Sequence, residues 1–339
     1  MNELELRQNA AKGNIEAIES LLLKAEKNNI TININSKGPQ SGKTAAHFAA
    51  AGNHASMLRL LHNLGADFTL KDNEGNIPFA LTKSEECQTV FSLVELGLRA
   101  LEATQKTFPH SVDVNYDNEN SKKLSEFRNK TLECVEAAVK ISASNIMKSI
   151  DITKIETNKL YEIVDFLFQL HDHYETIKLS KENNFNLGAC AEMSAASFVS
   201  LANDNSHNFC VDQFTFSNLK KSDPHSNFND HTIAILNRNS QNKLPNSLSQ
   251  ALIVDALSEK YKLVFFEHMH MANQSLMKRC YFDSLENIKL ICSSHIPSML
   301  PAGLNPAALK IIEDIYQKLN KAAGEALNGP SAPSQVLKT

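Results

Sequence analysis

Apolar residues recur along this chain in two rhythms, helical in the first two thirds and strand-like after about residue 205. Upstream, Ala- and Leu-rich stretches alternate with Gly-containing punctuation. Ala10-Ala11-Lys12-Gly13-Asn14 precedes Ile18 and Leu21-Leu22, and Ala45 to Asn53 precedes Leu60-Leu61 and Leu64-Gly65-Ala66-Asp67. Such spacing predicts short helices paired through turns. Next, Leu124, Phe127, Val135, Ala138, Val139, Ile146 and Ile150 recur at near-helical steps, and Leu160, Val164, Leu167, His171 and Tyr174 predict a helix over 157–179. Asn183, Asn184, Asn186 and Gly188 favour a turn, and the Ala-rich run after them predicts a helix opening at or near Cys190. Short apolar runs follow at Phe209–Phe216, Thr232–Leu236, Ala251–Val254, Tyr261–Phe266 and Arg279–Phe282, with polar turn residues between them. These predict an antiparallel sheet, hence an α+β class. Pro297, Pro301 and Pro306 mark a loop, Ala307–Ala323 a final helix, and the polar stretch from Gly329 a disordered tail.

The upstream punctuation is periodic. Gly42-Lys43-Thr44-Ala45-Ala46-His47-Phe48-Ala49 is followed 33 residues after Gly42 by Gly75-Asn76-Ile77-Pro78-Phe79-Ala80. Spacing and motif resemble the ankyrin repeat, with its 33-residue period and T-P-L-H-x-A signature. His47 is expected to hydrogen-bond within its repeat. Asp113-Val114-Asn115 and Asp117-Asn118-Glu119-Asn120 resemble a further repeat start, so a degenerate fourth repeat to about 150 is expected as an extension. The division expected is a repeat array at 1–107, a linker with bridging helices at 108–180, an α+β module at 181–325 and a tail at 326–339. The array is expected to capture a protein partner, and its removal at residue 107 to leave the module intact.

Composition narrows the function classes. The 339 residues carry a net charge of −4, with Lys and Arg scattered, which argues against nucleic acid as partner. With 42% hydrophobic residues and no apolar run of membrane-spanning length, a membrane span is not expected. Six cysteines at 87, 134, 190, 210, 280 and 292 form no C-x-x-C pair, which disfavours a zinc site and a disulfide framework. No cofactor or metal is expected. His171-Asp172-His173 sets its imidazoles on different helix faces, and His268-Met269-His270 lacks a third ligand. The N-terminal residues lack a basic-then-apolar secretory profile.

One constellation carries chemistry. A thiol at a helix N-terminus loses its proton more easily, and the thiolate is the nucleophile. Asp230-His231 opens one apolar run, and Leu252-Ile253-Val254-Asp255 closes the next. With the hairpin turn centred near 243, His231 and Asp255 are expected to face each other across the ladder. Cys190, His231 and Asp255 thus supply a nucleophile, a base and a group to orient the base.

Gly188-Ala189-Cys190 opening an Ala-rich helix, Asp230-His231 opening a strand and Val254-Asp255 closing one resemble the papain-like fold, closest to its Cys-His-Asp proteases from pathogenic bacteria. With the array in front, the chain resembles ankyrin-repeat effectors of intracellular bacteria such as Legionella. The resemblance implies that Cys190 is the nucleophile, His231 the general base and acid, and Asp255 its orienter. It also implies an oxyanion hole from the Cys190 backbone N–H and an upstream amide. The family places Gln six residues before its cysteine, where this chain has Asn184, with Asn186 near. The implied function is a host-directed cysteine hydrolase with a host protein as partner and a protein or peptide as substrate. The implied location is the bacterial cytoplasm, then the host cytosol or nucleus after secretion without a cleaved signal. A deamidase or transglutaminase would use the same residues, and a non-catalytic ankyrin scaffold is the reading from another class.

Overall fold

The computed structural model describes residues 2–112, 118–149, 157–217, 230–239, 248–256, 263–268, 288–296, 299–300, 304 and 306–329. The N-terminal part consists of helix pairs: α1 (Asn2–Lys12) with α2 (Ile15–Lys27), α3 (Ala45–Ala51) with α4 (Ala55–Asn63), and α5 (Pro78–Leu81) with α6 (Glu85–Thr107). Gly42 and Gly75 both hold positive φ, at 68° and 83°, so the period seen in sequence repeats in backbone conformation. A Cβ on Gly42 would lie 2.8 Å from the Asn73 backbone nitrogen, so a side chain there collides with the next turn. His47 is structural. Its Nδ1 accepts from the Thr44 N–H at 3.2 Å, and Nε2 faces the Asn76 carbonyl of the following unit at 3.0 Å.

Asn53, after Gly52, joins neighbouring units. Asn53 takes the left-handed conformation at φ 57°, which asparagine tolerates better than most residues. Its Oδ1 accepts from the Thr82 hydroxyl and the Lys83 and Ser84 N–H groups at 2.9–3.0 Å, tying the second helix pair to the third.

α6 runs for 23 residues and leaves the repeat pattern to become a shared wall. It packs on α9 (Cys190–Ala202), where the Thr104 and Ser197 hydroxyls meet at 2.9 Å. Gly97 in its middle admits the sheet: a Cβ there would come within 2.6 Å of Leu263 Cδ2 and 3.1 Å of Leu252 Cδ2. The expected fourth repeat is not formed by two helices. α7 (Glu119–Ser149) is one helix of 31 residues, because no Gly or Pro interrupts it. The repeat-like residues 113–117 before it lie outside the described residues. α8 (Thr157–Glu182) packs along α7, as the apolar spacing predicted.

β1 (His110–Ser111) lies parallel to β2 (Leu187–Gly188), which leads directly into α9. Among the described residues the main sheet has five antiparallel strands in the order β6-β5-β4-β3-β7: β3 (Val211–Ser217), β4 (Asp230–Leu236), β5 (Leu252–Val254), β6 (Leu263–Phe265) and β7 (Ile288–Ser293). β7 was not expected from the sequence. The expected strand at Arg279–Phe282 lies outside the described residues. α10 (Pro306–Asn328) extends past the predicted end at Ala323 and takes in the first residues of the expected tail, whose residues 330–339 lie outside the described residues. Its Ala323 and Leu327 are buried.

One apolar cluster extends from Leu6 to Leu327 and includes residues of every long element. The edge strand β6 abuts α4: Asn63 donates to the Phe265 carbonyl at 2.9 Å and accepts from the Phe265 N–H at 2.8 Å. Beside it, Arg59 lies between Glu86 and Glu267.

Candidate active site

Cys190 is the first residue of α9, and its cap residue Ala189 is extended, at φ −108° and ψ −168°. The switch follows from sequence: β2 delivers the chain in extended form, and the Ala-rich run then takes it into a helix. Glu192, two residues into the helix, turns back so that its Oε2 accepts from the Ala189 N–H at 3.0 Å. Arg128 of α7 holds the same carboxylate with two bonds, Nε to Oε1 at 2.5 Å and a second nitrogen to Oε2 at 2.8 Å. A buried carboxylate beside a thiolate needs such a partner.

His231, second residue of β4, and Asp255, just past β5, are both buried, with His231 Nε2 3.1 Å from Asp255 Oδ2. The facing-pair arithmetic needs one correction. The ladder pairs Ala234 with Val254, which centres the turn on 244 and sets Asp255 opposite Ile233. His231 and Asp255 are therefore diagonal neighbours on one face of the sheet, still within reach of a long side chain. The same imidazole is hydrogen-bonded to the Cys190 thiol.

The electrostatics follow. Burial alone would raise the Cys190 thiol, but the His231 hydrogen bond and charge, with the Thr232 N–H, bring it below its ordinary value. Burial would likewise lower His231, but Asp255 and the thiolate raise it well above the usual imidazole range. Both shifts favour a thiolate–imidazolium pair at neutral pH. Other thiols behave oppositely: burial pushes Cys87 up, Cys210 to about 11 and Cys292 further still.

The two asparagines do not join this group. Asn184 and Asn186 are exposed and line a cavity with His110, Lys123 and Phe185. The β2 segment lies between them and Cys190 in the chain, and the Asn186 carbonyl accepts from the His110 N–H. The first N–H groups of α9 have no partner within the helix and are the kind of donor that an oxyanion would need.

His171 meets Ser142 Oγ at 2.8 Å, and His173 meets Gln213 Oε1 at 2.7 Å; both imidazoles are buried. His268 meets Ser56 at 2.8 Å, while residues 269–270 lie outside the described residues, as does Cys280. No group of His, Cys, Asp and Glu suited to a metal ion is found among the described residues, and no described helix is long and apolar enough to cross a membrane.

Arg128 and Glu192 escaped sequence reasoning. Glu192 stood at the capping position, three residues after Ala189, and was legible there. Arg128 lies 64 residues away on another helix and left no local sign. No curated protein and no solved structure significantly matches the chain. A family model described as ankyrin repeats (many copies) matches residues 27–81, which places repeats of this kind in the helix-pair region.

Proposed function

We propose that this chain is a cysteine-dependent acyl-transfer enzyme, a hydrolase of protein substrates, whose ankyrin repeats recruit the protein it acts on. The observation that carries the reading is the Cys190–His231–Asp255 chain, with the thiol lowered and the imidazole raised. The thiolate attacks the scissile carbonyl, and the oxyanion rests on backbone N–H groups at the start of α9. The C–N bond breaks as the His231 imidazolium gives its proton to the leaving amine. Water then attacks the thioester, His231 takes its proton, and Cys190 leaves as the thiolate that the imidazolium stabilises. Asp255 holds the imidazole in register through both halves.

The resemblance to ankyrin-repeat effectors extends the proposal to an exported bacterial protein whose target belongs to the host cell. Protein binding by the repeats supports both this reading and the scaffold alternative, so the thiol decides between them. Quantitative proteomics of host cells expressing wild type or Cys190→Ala is the direct test. New protein termini that require Cys190 support a protease, and Gln or Asn converted to Glu or Asp supports a deamidase. Identical proteomes, with Cys190 no more reactive than the other thiols, leave the scaffold.

A further inference from the structure

On the side of α9 that faces α7 and α8 lies a cavity of about 270 Å³, walled by Arg128 and Thr131, Asp172 and Thr176, and Ala191 and Glu192. Ala191 and Glu192 directly follow the nucleophile, and the Arg128 guanidinium lies within electrostatic reach of Cys190. The cavity therefore adjoins the catalytic group. Its size suits one long side chain rather than a whole ligand.

Its charges do not balance. Arg128 is committed to Glu192 through two hydrogen bonds, and Glu192 also takes the Ala189 N–H. Asp172 is the second carboxylate in the wall. No described residue hydrogen-bonds to it. Burial and the neighbouring Glu192 push it up to about 6, with Arg128 acting in the opposite direction. A half-buried carboxylate without a dedicated donor is poorly compensated, and a cation brought in from outside offsets that cost. Thr131 and Thr176 add polar walls, and Leu132 gives an apolar surface for an aliphatic stem.

We propose that this cavity receives a basic side chain, lysine or arginine, from the substrate residues flanking the attacked bond, with Asp172 as its counter-charge. The assignment of the occupant to the substrate rests on the hydrolase reading, and the test separates the two. Peptidyl vinyl sulfones carrying lysine or norleucine at each of the three positions before the electrophile are reacted with the full chain. Labelling of Cys190 is read by mass spectrometry, with iodoacetamide as a reagent that needs no recognition. The expected result is that, at one position, the lysine probe labels Cys190 about tenfold faster than the norleucine probe, the size of one charge-assisted contact. That ratio should fall to near one in Asp172→Asn and persist in Asp172→Glu. Asp172→Asn keeps the shape and removes a half-buried charge, so folding is retained. Equal lysine and norleucine rates with rapid iodoacetamide labelling overturn the cavity proposal and leave the hydrolase reading standing. Slow labelling of Cys190 by every reagent overturns both.

Discussion

At the scale of single residues, the site is a contest between burial and charge that charge wins twice. Burial opposes the thiolate of Cys190 and the imidazolium of His231, yet each becomes the other's partner, and Asp255 tips the balance. With the thiol lowered and the imidazole raised, turnover should climb with pH as Cys190 ionises, at a pKa below the ~8.5 of a free thiol, and fall as His231 loses its proton at higher pH. Iodoacetamide labelling of Cys190 across pH checks the first limb, and turnover the second. Asp255→Asn should lower the His231 pKa, raise that of Cys190 and cut turnover by roughly a hundredfold to ten-thousandfold while the protein stays folded. A third expectation concerns Arg128. Arg128→Met leaves the Glu192 charge unneutralised near the thiolate and should raise the Cys190 pKa by about half a unit or more. Adding Glu192→Gln should bring it back, an outcome that lost packing alone would not give. Cys190, His231 and Asp255 were legible as a group because each stands at an element end with a recognisable change of pattern. Asn184 and Asn186 were picked by counting back along a family pattern, and both stand exposed in the walls of a different cavity.

Among the elements, the informative cases are those where a neighbour overrides local preference. Gly97 sits inside α6, where glycine costs a helix about 1 kcal/mol relative to alanine. It is explained by the leucines of β5 and β6 that close over it. Gly97→Leu should therefore destabilise by roughly 1–3 kcal/mol despite the better helix former, measured by denaturant unfolding. The β4–β5 ladder shows a similar limit on sequence reasoning. Same-face placement of His231 and Asp255 was legible from period-two alternation, but the two-residue offset in register was not, because it depends on how the turn closes. β7 was missed for a different reason: Ile288-Lys289-Leu290 alternates, but Ile291-Cys292 breaks the alternation where the ladder to β3 shifts register between Gln213 and Phe214. The spacing that predicted α7 and α8 holds for many turns with no breaker, whereas the 23-residue α6 was not anticipated.

For the whole molecule, the consequential fact is that the repeat region runs through α6 into the packing of α9. A cut after residue 107 would remove α6 and strip α9 of the wall that holds Thr104 against Ser197. Residues 108–339 alone should lack cooperative thermal unfolding by circular dichroism and lose the fast labelling of Cys190, contrary to the separability the sequence implied. Asn63→Ala should give a milder defect, removing the amide that serves the β6 backbone, with a loss of roughly 1–3 kcal/mol. The same wall has a meaning for substrate choice under the proposed function. Helix α6 spans roughly 35 Å at 1.5 Å per residue, and it runs from the repeats to the nucleophile helix without a hinge residue other than the buried Gly97. A protein captured on the repeats is thus presented to Cys190 at a fixed reach, as on a ruler rather than a leash. Where the target is cut would be set by the distance from its docking epitope to the bond, and moving that bond along an unchanged target would abolish cleavage while leaving capture intact.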